Sequence, residues 1–454
     1  MPKILMVSLG CAKNTVDAEM ALAAVLGDSF SLALDPDDAD LVLINTCGFI
    51  APARDEARAV INEFLAAKKK SGGRLKLAVM GCWAERSATE LAQEFPGLDA
   101  IWGLGIFPEI ASAVGRVLAA REREEAGFGV LAQPFEGPRL ISTPPSYSYL
   151  KISDGCDNRC SYCSIPDIRG PFRSRPRQSI VEEARILAGR GVGELVVIGQ
   201  DTTLYGDEPA GEGITRLIEE ILAAVSTPRI RLLYAHPAHL SSSLINLLVS
   251  EPRLCRYLDL PLQHVSDRML KLMNRGYGRQ RVEEITSRLD VKGFTLRTTL
   301  LTGFPGEQEE DFRTAQAWVA AGFAKHLGVF AYSPEAGTPA VSFPGMVPPA
   351  EAARRRDVLL ALQREKTFAW LDSRRGESEE ILVDKVAEDG WLEGRTIREA
   401  PEVDGVVRLA ARASPGVFLT ACIQGREEYD LIAVAREGKK PLRRPAKKVR
   451  HRRS

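Results

Sequence analysis

The chain has 454 residues, 45% hydrophobic and 26% charged, with a formal net charge of zero. That composition is ordinary for a globular protein, and at about 100–200 residues per domain the length predicts two to four domains. No apolar run approaches the roughly 20 residues of a membrane span, and the opening MPKILMVSLGC is too short for a secretory signal.

In chain order, KILMVSL reads as a strand and TVDAEMALAAVLG as a helix. ADLVLINTC is a second buried strand, ARDEARAVINEFLAAKKKSGG an amphipathic helix closed by glycine, and RLKLAVMGC a third strand. Strands alternating with helices predict a doubly wound parallel sheet over residues 1–133. The prolines of QPFEGPRLISTPPSY mark a linker at 134–146.

From 147 to 376 the alternation resumes. Strands are expected at YLKIS, ELVVIGQ, RIRLLYAHP, CRYLDLPLQ, FTLRTTLLTG and HLGVFAYSP, with helices between them. Six βα units fall short of the eight of a full barrel, so an incomplete TIM-type barrel is expected. A long charged helix follows near 350–375. Residues 377–437 break into short strands and turns that fit a small all-β barrel of the oligonucleotide-fold type. The last sixteen residues, KKPLRRPAKKVRHRRS, hold nine Lys or Arg and no acid. This basic tail at 438–454 reads as either a nucleic-acid contact or a solubilising extension.

The eight cysteines are Cys11, Cys47, Cys82, Cys156, Cys160, Cys163, Cys255 and Cys422. With no secretion signal, clustered cysteines point to metal or redox chemistry in the cytoplasm rather than to disulfides. Cys156, Cys160 and Cys163 are spaced C-x3-C-x2-C just after the first barrel strand, where such barrels carry their catalytic residues. A zinc site needs a fourth ligand, and the next candidates, His236 and Cys255, are far along the chain. An iron–sulfur cluster with three thiolates and one open iron accounts for the spacing better; three inert buried thiols are the bland alternative. Cys11, Cys47 and Cys82 each close a predicted strand beside Gly10, Gly48 and Gly81. Parallel strands put their carboxyl ends on one edge, where ligands bind. A second three-thiolate cluster is expected there, although a single buried cysteine is more often a packing residue.

The C-x3-C-x2-C spacing, with Tyr162 inside it, resembles the radical S-adenosylmethionine enzymes. The preceding three-cysteine domain makes the chain similar to their methylthiotransferase family, whose substrate-binding TRAM domain the C-terminal barrel resembles. The resemblance implies two 4Fe–4S clusters and S-adenosylmethionine, which chelates the open iron and is cleaved to a 5′-deoxyadenosyl radical. It also implies transfer of a methylthio group to an unactivated carbon. VSLGCAKNTVDAE, DGCDNRCSYCSIPDIRGPFRSRP and the APEVDG segment resemble the branch that modifies the β-carbon of an aspartate in ribosomal protein uS12. The alternative branch modifies an adenosine in tRNA, and a non-catalytic RNA-binding module is a third reading. A one-electron donor such as a flavodoxin, contact of the tail with ribosomal RNA, a monomeric state and no membrane partner complete the expectation.

Further residues follow from strand ends. Gln200 and Asp201 end the second barrel strand, Gln263 the fourth, and Arg297, Thr299 and Gly303 lie on and after the fifth. By the resemblance these, with Tyr162, line the S-adenosylmethionine pocket; each alone also fits a turn or loop cap. His236 and His239 read as loop caps or as metal ligands, and Cys255 and Cys422 as packing residues.

Overall fold

The computed structural model describes residues 1–436 apart from 28, 121 and 207–211; the basic tail expected at 438–454 lies outside the described residues.

The N-terminal sheet comprises β1 (Lys3–Ser8), β2 (Ser31–Leu32), β3 (Leu41–Thr46), β4 (Lys76–Gly81), β5 (Ala100–Trp102) and β6 (Glu124–Ala126). They lie in the order β2-β1-β3-β4-β5-β6, every pair parallel. Every residue of β3 is buried, as a central parallel strand covered on both faces requires. Helices α1 (Ala12–Val25) and α4 (Ile110–Ala119) cover one face through Ala21, Val25 and Val114. Helices α2 (Ala51–Lys70) and α3 (Cys82–Glu94) cover the other through Ile61, Phe64 and Leu91. The strand order reverses between β1 and β3, so a crevice opens at their carboxyl ends. Cys11 and Cys47 follow those two strands, and Cys82 follows β4.

The central domain carries β7 (Tyr147–Lys151), a two-residue ribbon of β8 (Ser153–Asp154) and β9 (Arg173–Ser174), then β10 (Glu194–Ile198), β11 (Arg229–Leu232), β12 (Tyr257–Asp259), β13 (Thr295–Thr302) and β14 (Ala324–Ala331). Between them run α5 (Ile165–Arg169), α6 (Arg177–Gly189), α7 (Glu212–Ala224), α8 (Ser242–Ser250), α9 (Asp267–Leu272), α10 (Arg279–Val291) and α11 (Glu309–Ala320). Strands β7-β10-β11 and β12-β13-β14 form two parallel arrays joined by a bridge between Ile230 and Leu254, giving the expected incomplete barrel. The two-residue period of a strand sorts side chains cleanly. Leu150, Leu195 and Val197 face the outer helices. Tyr147, Tyr149, Val196, Ile198 and Tyr257 face inward, onto Ala12, Val16 and Met20 of α1. The N-terminal domain thus fills the open side of the barrel.

After α12 (Pro349–Ser373), strands β15 (Ser378–Val386), β16 (Leu392–Arg395), β17 (Val407–Leu409), β18 (Phe418–Glu427) and β19 (Asp430–Ala435) close a small barrel in the order β15-β16-β17-β19-β18. Its loop 395–404 plugs the inner face of the central barrel. Glu194, fully buried, accepts from Arg231 at 2.7 Å and pairs with Arg395 at 3.2 Å. Glu402 accepts from the hydroxyls of Tyr147 and Tyr149 at 2.6 and 2.7 Å. No helix among the described residues is long and apolar enough to cross a membrane.

Candidate functional site

The loop after β7 holds the first cysteine triplet. Gly155 has φ +75°, and a Cβ there would lie 2.0 Å from the Pro171 carbonyl oxygen. Only glycine permits this approach, which closes the loop on itself through Cys156 N–H to Gly170 O at 3.2 Å. The Cys163 amide donates to Cys160 O at 3.0 Å. Cys160 Sγ accepts from Arg275 Nη1 at 3.2 Å, and Arg275 also reaches the Tyr162 hydroxyl at 3.2 Å. Asn158 Nδ2 spans Cys156 Sγ at 3.4 Å and Asp201 Oδ2 at 2.8 Å. Burial pushes the Cys156 and Cys163 thiols up, to about 11 and about 12.

The second triplet assembles at the crevice of the N-terminal sheet, and Asn14 organises it. Asn14 Nδ2 donates to Leu9 O at 3.0 Å and Thr46 O at 3.2 Å, tying the loops after β1 and β3 together. Its Oδ1 lies 4.0 Å from the Cys11 sulfur and 3.7 Å from that of Cys82. Gly10, at φ +94°, would place a Cβ 2.6 Å from Cys47 Cβ, so the loops meet only because that residue is glycine. Burial drives Cys82 up to about 12 although Arg169 opposes it. For Cys11 burial acts in the same sense, but Lys13 and Arg169 outweigh it and the thiol is lowered.

The two triplets share one polar joint. Arg169, buried at the end of α5 and six residues after Cys163, donates to Cys82 Sγ from Nε at 3.3 Å and Nη2 at 3.2 Å. It also donates to Asn14 Oδ1 at 2.9 Å and pairs with Asp17 at 2.8 Å and Asp154 at 3.2 Å. Lys151 completes the group on Asp17 at 2.6 Å and Asp154 at 3.2 Å, so two cations face one buried and one half-buried carboxylate. Lys13, beside Cys11, lies 3.2 Å from the Tyr234 ring centre just beyond β11. Both cysteine loops therefore open on the mouth of the barrel.

A single tetrahedral ion with metal–sulfur bonds of about 2.3 Å would draw its thiolates to about 4 Å of one another. Neither triplet is that tight: among the described residues the one group of three ligand atoms within 4.8 Å is Asp201, His236 and His239. A cubic four-iron cluster spreads its thiolates more widely, and Arg169, Arg275 and Asn158 supply donors to the sulfurs of Cys82, Cys160 and Cys156. The histidine trio is only partly satisfied by the protein, because His236 Nε2 is buried without a partner among the described residues. The Ala238 amide donates to His236 Nδ1 at 3.2 Å, which leaves the proton on Nε2, and His239 Nδ1 sits on Asp201 at 2.9 Å. These histidines cap the loop after β11.

The remaining candidates divide into two groups. Near the first triplet, Tyr162 packs edge-on against Phe304. Gln200 donates to Asp154 at 3.2 Å while its Oε1 stays buried without a partner. Asp201 takes Asn158, and Gln263, at φ +69°, donates its amide to Thr299 O at 2.7 Å. Gly303 seats the loop after β13 against α12, where a Cβ would lie 2.2 Å from Ala352 Cβ. Arg297 is engaged elsewhere: it pairs with Asp404 of the C-terminal barrel at 2.6 Å and donates to Val403 O at 3.1 Å. Arg169, Asn14, Asn158 and Arg275 were not singled out from sequence. Arg169 and Asn14 stand inside the quoted IPDIRG and GCAKN stretches, but nothing local in those stretches discloses partners so distant along the chain.

The family comparisons cover all three parts. Residues 3–103 match the uncharacterized protein family UPF0004, 150–319 the radical SAM superfamily and 376–435 the TRAM domain. The ribosomal protein uS12 methylthiotransferase RimO of Pelobacter propionicus is 40% identical over 446 residues, 96% of this chain and 98% of its own. RimO of Geobacter sulfurreducens is 40% identical over 438 residues, 95% of this chain and 98% of its own.

The chain belongs to the uS12 methylthiotransferase family.

Membership makes it a radical S-adenosylmethionine transferase that uses 4Fe–4S clusters and S-adenosylmethionine. Among solved structures, the radical S-adenosylmethionine methyltransferase TsrM from Kitasatospora setae, with cobalamin and a [4Fe–4S] cluster bound, aligns with a TM-score of 0.54 at 16% identity, covering 74% of each chain. That likeness is one of fold. The TRAM match at 376–435 covers this chain's closed five-stranded barrel, and the match at 3–103 covers most of its parallel N-terminal sheet.

Proposed function

We propose that this protein places a methylthio group on the β-carbon of an aspartate in ribosomal protein uS12. The observation that carries the reading is full-length identity of 40% to proteins of that name, joined to six cysteines grouped as two triplets around one barrel mouth. Cys156, Cys160 and Cys163 hold the radical-generating cluster, and Cys11, Cys47 and Cys82 the auxiliary one. When bound, the clusters and S-adenosylmethionine supply the 5′-deoxyadenosyl radical and the sulfur chemistry. The chain's own residues set the stage. Arg275 and Asn158 donate to the first set of sulfurs, and Arg169 and Asn14 fix the second set against it. The Gln200 amide oxygen and the rim residues Asp201, Gln263, Thr299 and Gly303 line the cofactor's place beside Tyr162. The inner face of the barrel is sealed from below by Glu194, Glu402 and Asp404, which keeps water from a reactive radical.

The small terminal barrel grips the protein substrate, and the basic tail lies against ribosomal RNA. The enzyme works as a monomer in the cytoplasm with a one-electron donor of the flavodoxin type. Incubation of the reconstituted protein with uS12, S-adenosylmethionine, sulfide and a reductant tests the activity. A methylthio mass increment on one aspartate supports it; deoxyadenosine release with unmodified uS12 contradicts it.

A further inference from the structure

Beside the first cysteine triplet the surface opens into a groove lined by Arg159, Ser161, Arg268, Lys271, Leu272 and Phe343, among others. Arg159 and Ser161 are the two sequence neighbours of Cys160, so the wall of this groove is one residue from a proposed ligand of the radical-generating cluster. The contact is fixed rather than incidental. Ser161 donates its amide to Met273 O at 3.1 Å and its hydroxyl to Leu272 O at 2.8 Å, and its own carbonyl accepts from Ala340 N at 2.8 Å. Arg159 holds φ +47°, a left-handed conformation that costs a non-glycine residue energy. Asn274, at φ +54°, clamps it through Nδ2 to Arg159 O at 2.9 Å.

The charge of the groove is one-sided. Arg159 and Lys271 are exposed, and among the described residues neither has an ion-pair partner. Arg268 is partly neutralised by Asp311. None of the described residues that line the groove is an acid; Asp157 accepts from Phe172 N at 3.1 Å and Asp267 from Arg279 N at 2.7 Å. Leu272, Pro339 and Phe343 give an apolar floor inside this cationic rim. Val341, on the same segment, is 44% exposed. An apolar centre ringed by charge of one sign is how transient protein partners of opposite charge dock.

We infer that this groove is the docking site of an acidic one-electron carrier protein. The inference rests on the reading of Cys160 as a ligand of the radical-generating cluster. One electron leaves the carrier, which is oxidised by one, and enters the centre behind Cys160, which is reduced by one; no atom is transferred. Electron transfer between proteins falls steeply with distance, and this face brings a bound carrier to within one residue of that centre.

The test uses anaerobically reconstituted holoprotein and an acidic flavodoxin. Binding of oxidised flavodoxin is measured by calorimetry. Reduction by photoreduced flavodoxin is followed by stopped-flow bleaching of the sulfur-to-iron absorption, with dithionite as the small-molecule comparison. Charged rims raise association rates by about 10- to 1,000-fold at low ionic strength. The double variant Arg159→Glu/Lys271→Glu is therefore expected to bind and accept electrons from flavodoxin about tenfold more weakly and slowly. That gap closes as salt is added, and dithionite reduction is unchanged. Lys271→Glu alone, on the surface of α9, gives a smaller loss of the same sign. Wild-type flavodoxin rates in both variants overturn the inference. So does an equal loss with dithionite, or loss of binding to an RNA oligonucleotide with the flavodoxin rate intact. Should a Cys160 variant still cleave S-adenosylmethionine, the underlying reading falls and takes the inference with it; loss of the flavodoxin effect overturns the inference alone.

Discussion

Arg169 donates two hydrogen bonds to the sulfur of Cys82, at 3.3 and 3.2 Å, from a helix that begins two residues after Cys163. One cysteine loop therefore supplies the cation that supports the other. Hydrogen bonds from a cation to a thiolate stabilise the more negative, reduced cluster. A charge-assisted bond is worth about 1.5–3 kcal/mol, and about 1.4 kcal/mol corresponds to about 60 mV for one electron. Arg169→Gln is expected to lower the potential of the auxiliary centre by about 60 mV while leaving the other centre near its wild-type value. A redox titration read by electron paramagnetic resonance checks this, and an unmoved auxiliary potential contradicts it.

Gly10 offers a steric test of the second triplet. A Cβ there lies 2.6 Å from Cys47 Cβ, and φ is +94°. Gly10→Ala must push the loops after β1 and β3 apart. Iron in the reconstituted variant is expected to fall from about eight to about four per chain, four per cluster, with S-adenosylmethionine cleavage retained. Full iron content would show that Cys11 and Cys47 do not share a cluster.

The complementary change is Cys156→Ala/Cys160→Ala/Cys163→Ala. It is expected to retain about four irons and to lose cleavage of S-adenosylmethionine altogether. Analysis of deoxyadenosine by chromatography decides it; residual cleavage at the wild-type rate contradicts the assignment.

Glu194 gives a prediction about pH. Burial alone would raise its carboxyl, yet Arg231 and Arg395 outweigh it and hold the group at about 2, below the ordinary 4.5. A depressed carboxyl stabilises the fold fully above its unfolded value and loses that contribution as pH falls through the folded one. Glu194→Gln leaves Arg231 buried without its carboxylate, while Arg395 keeps Asp384 at 2.7 Å; breaking a buried pair in this way costs about 3–5 kcal/mol. Urea unfolding is expected to show that gap at pH 7 and a shrinking gap from pH 4.5 toward pH 2. A gap that does not change with pH contradicts the pairing.

Much of this architecture is legible in the sequence because it rests on local period. Strands β1, β3 and β4 and the six barrel strands are apolar runs of recognisable length, and the cysteine triplets sit at their ends. Strands β5 and β6 are not legible. Ala100–Trp102 is three residues long, and Glu124–Ala126 reads EEA, with no apolar pattern. β5 is made by pairing with β4, and the edge strand β6 by pairing with β5, rather than by their own composition. Arg297 illustrates a second limit. Its strand-end position points to the barrel mouth, but its partner Asp404 lies 107 residues on, in another domain. Arg169 and Asn14 show the same limit inside the site, 155 residues apart and touching at 2.9 Å. Spacing reveals ligands that act through neighbouring turns, while polar side chains that join domains carry no local signature.

The central claim is the identity of the modified molecule. Intact-mass and peptide mass spectrometry of uS12, with nucleoside analysis of tRNA, in a strain lacking this gene tests it most directly. Loss of the methylthio group from the uS12 aspartate with tRNA methylthiolation intact is the predicted result. Unchanged uS12 with loss of the tRNA modification would contradict it.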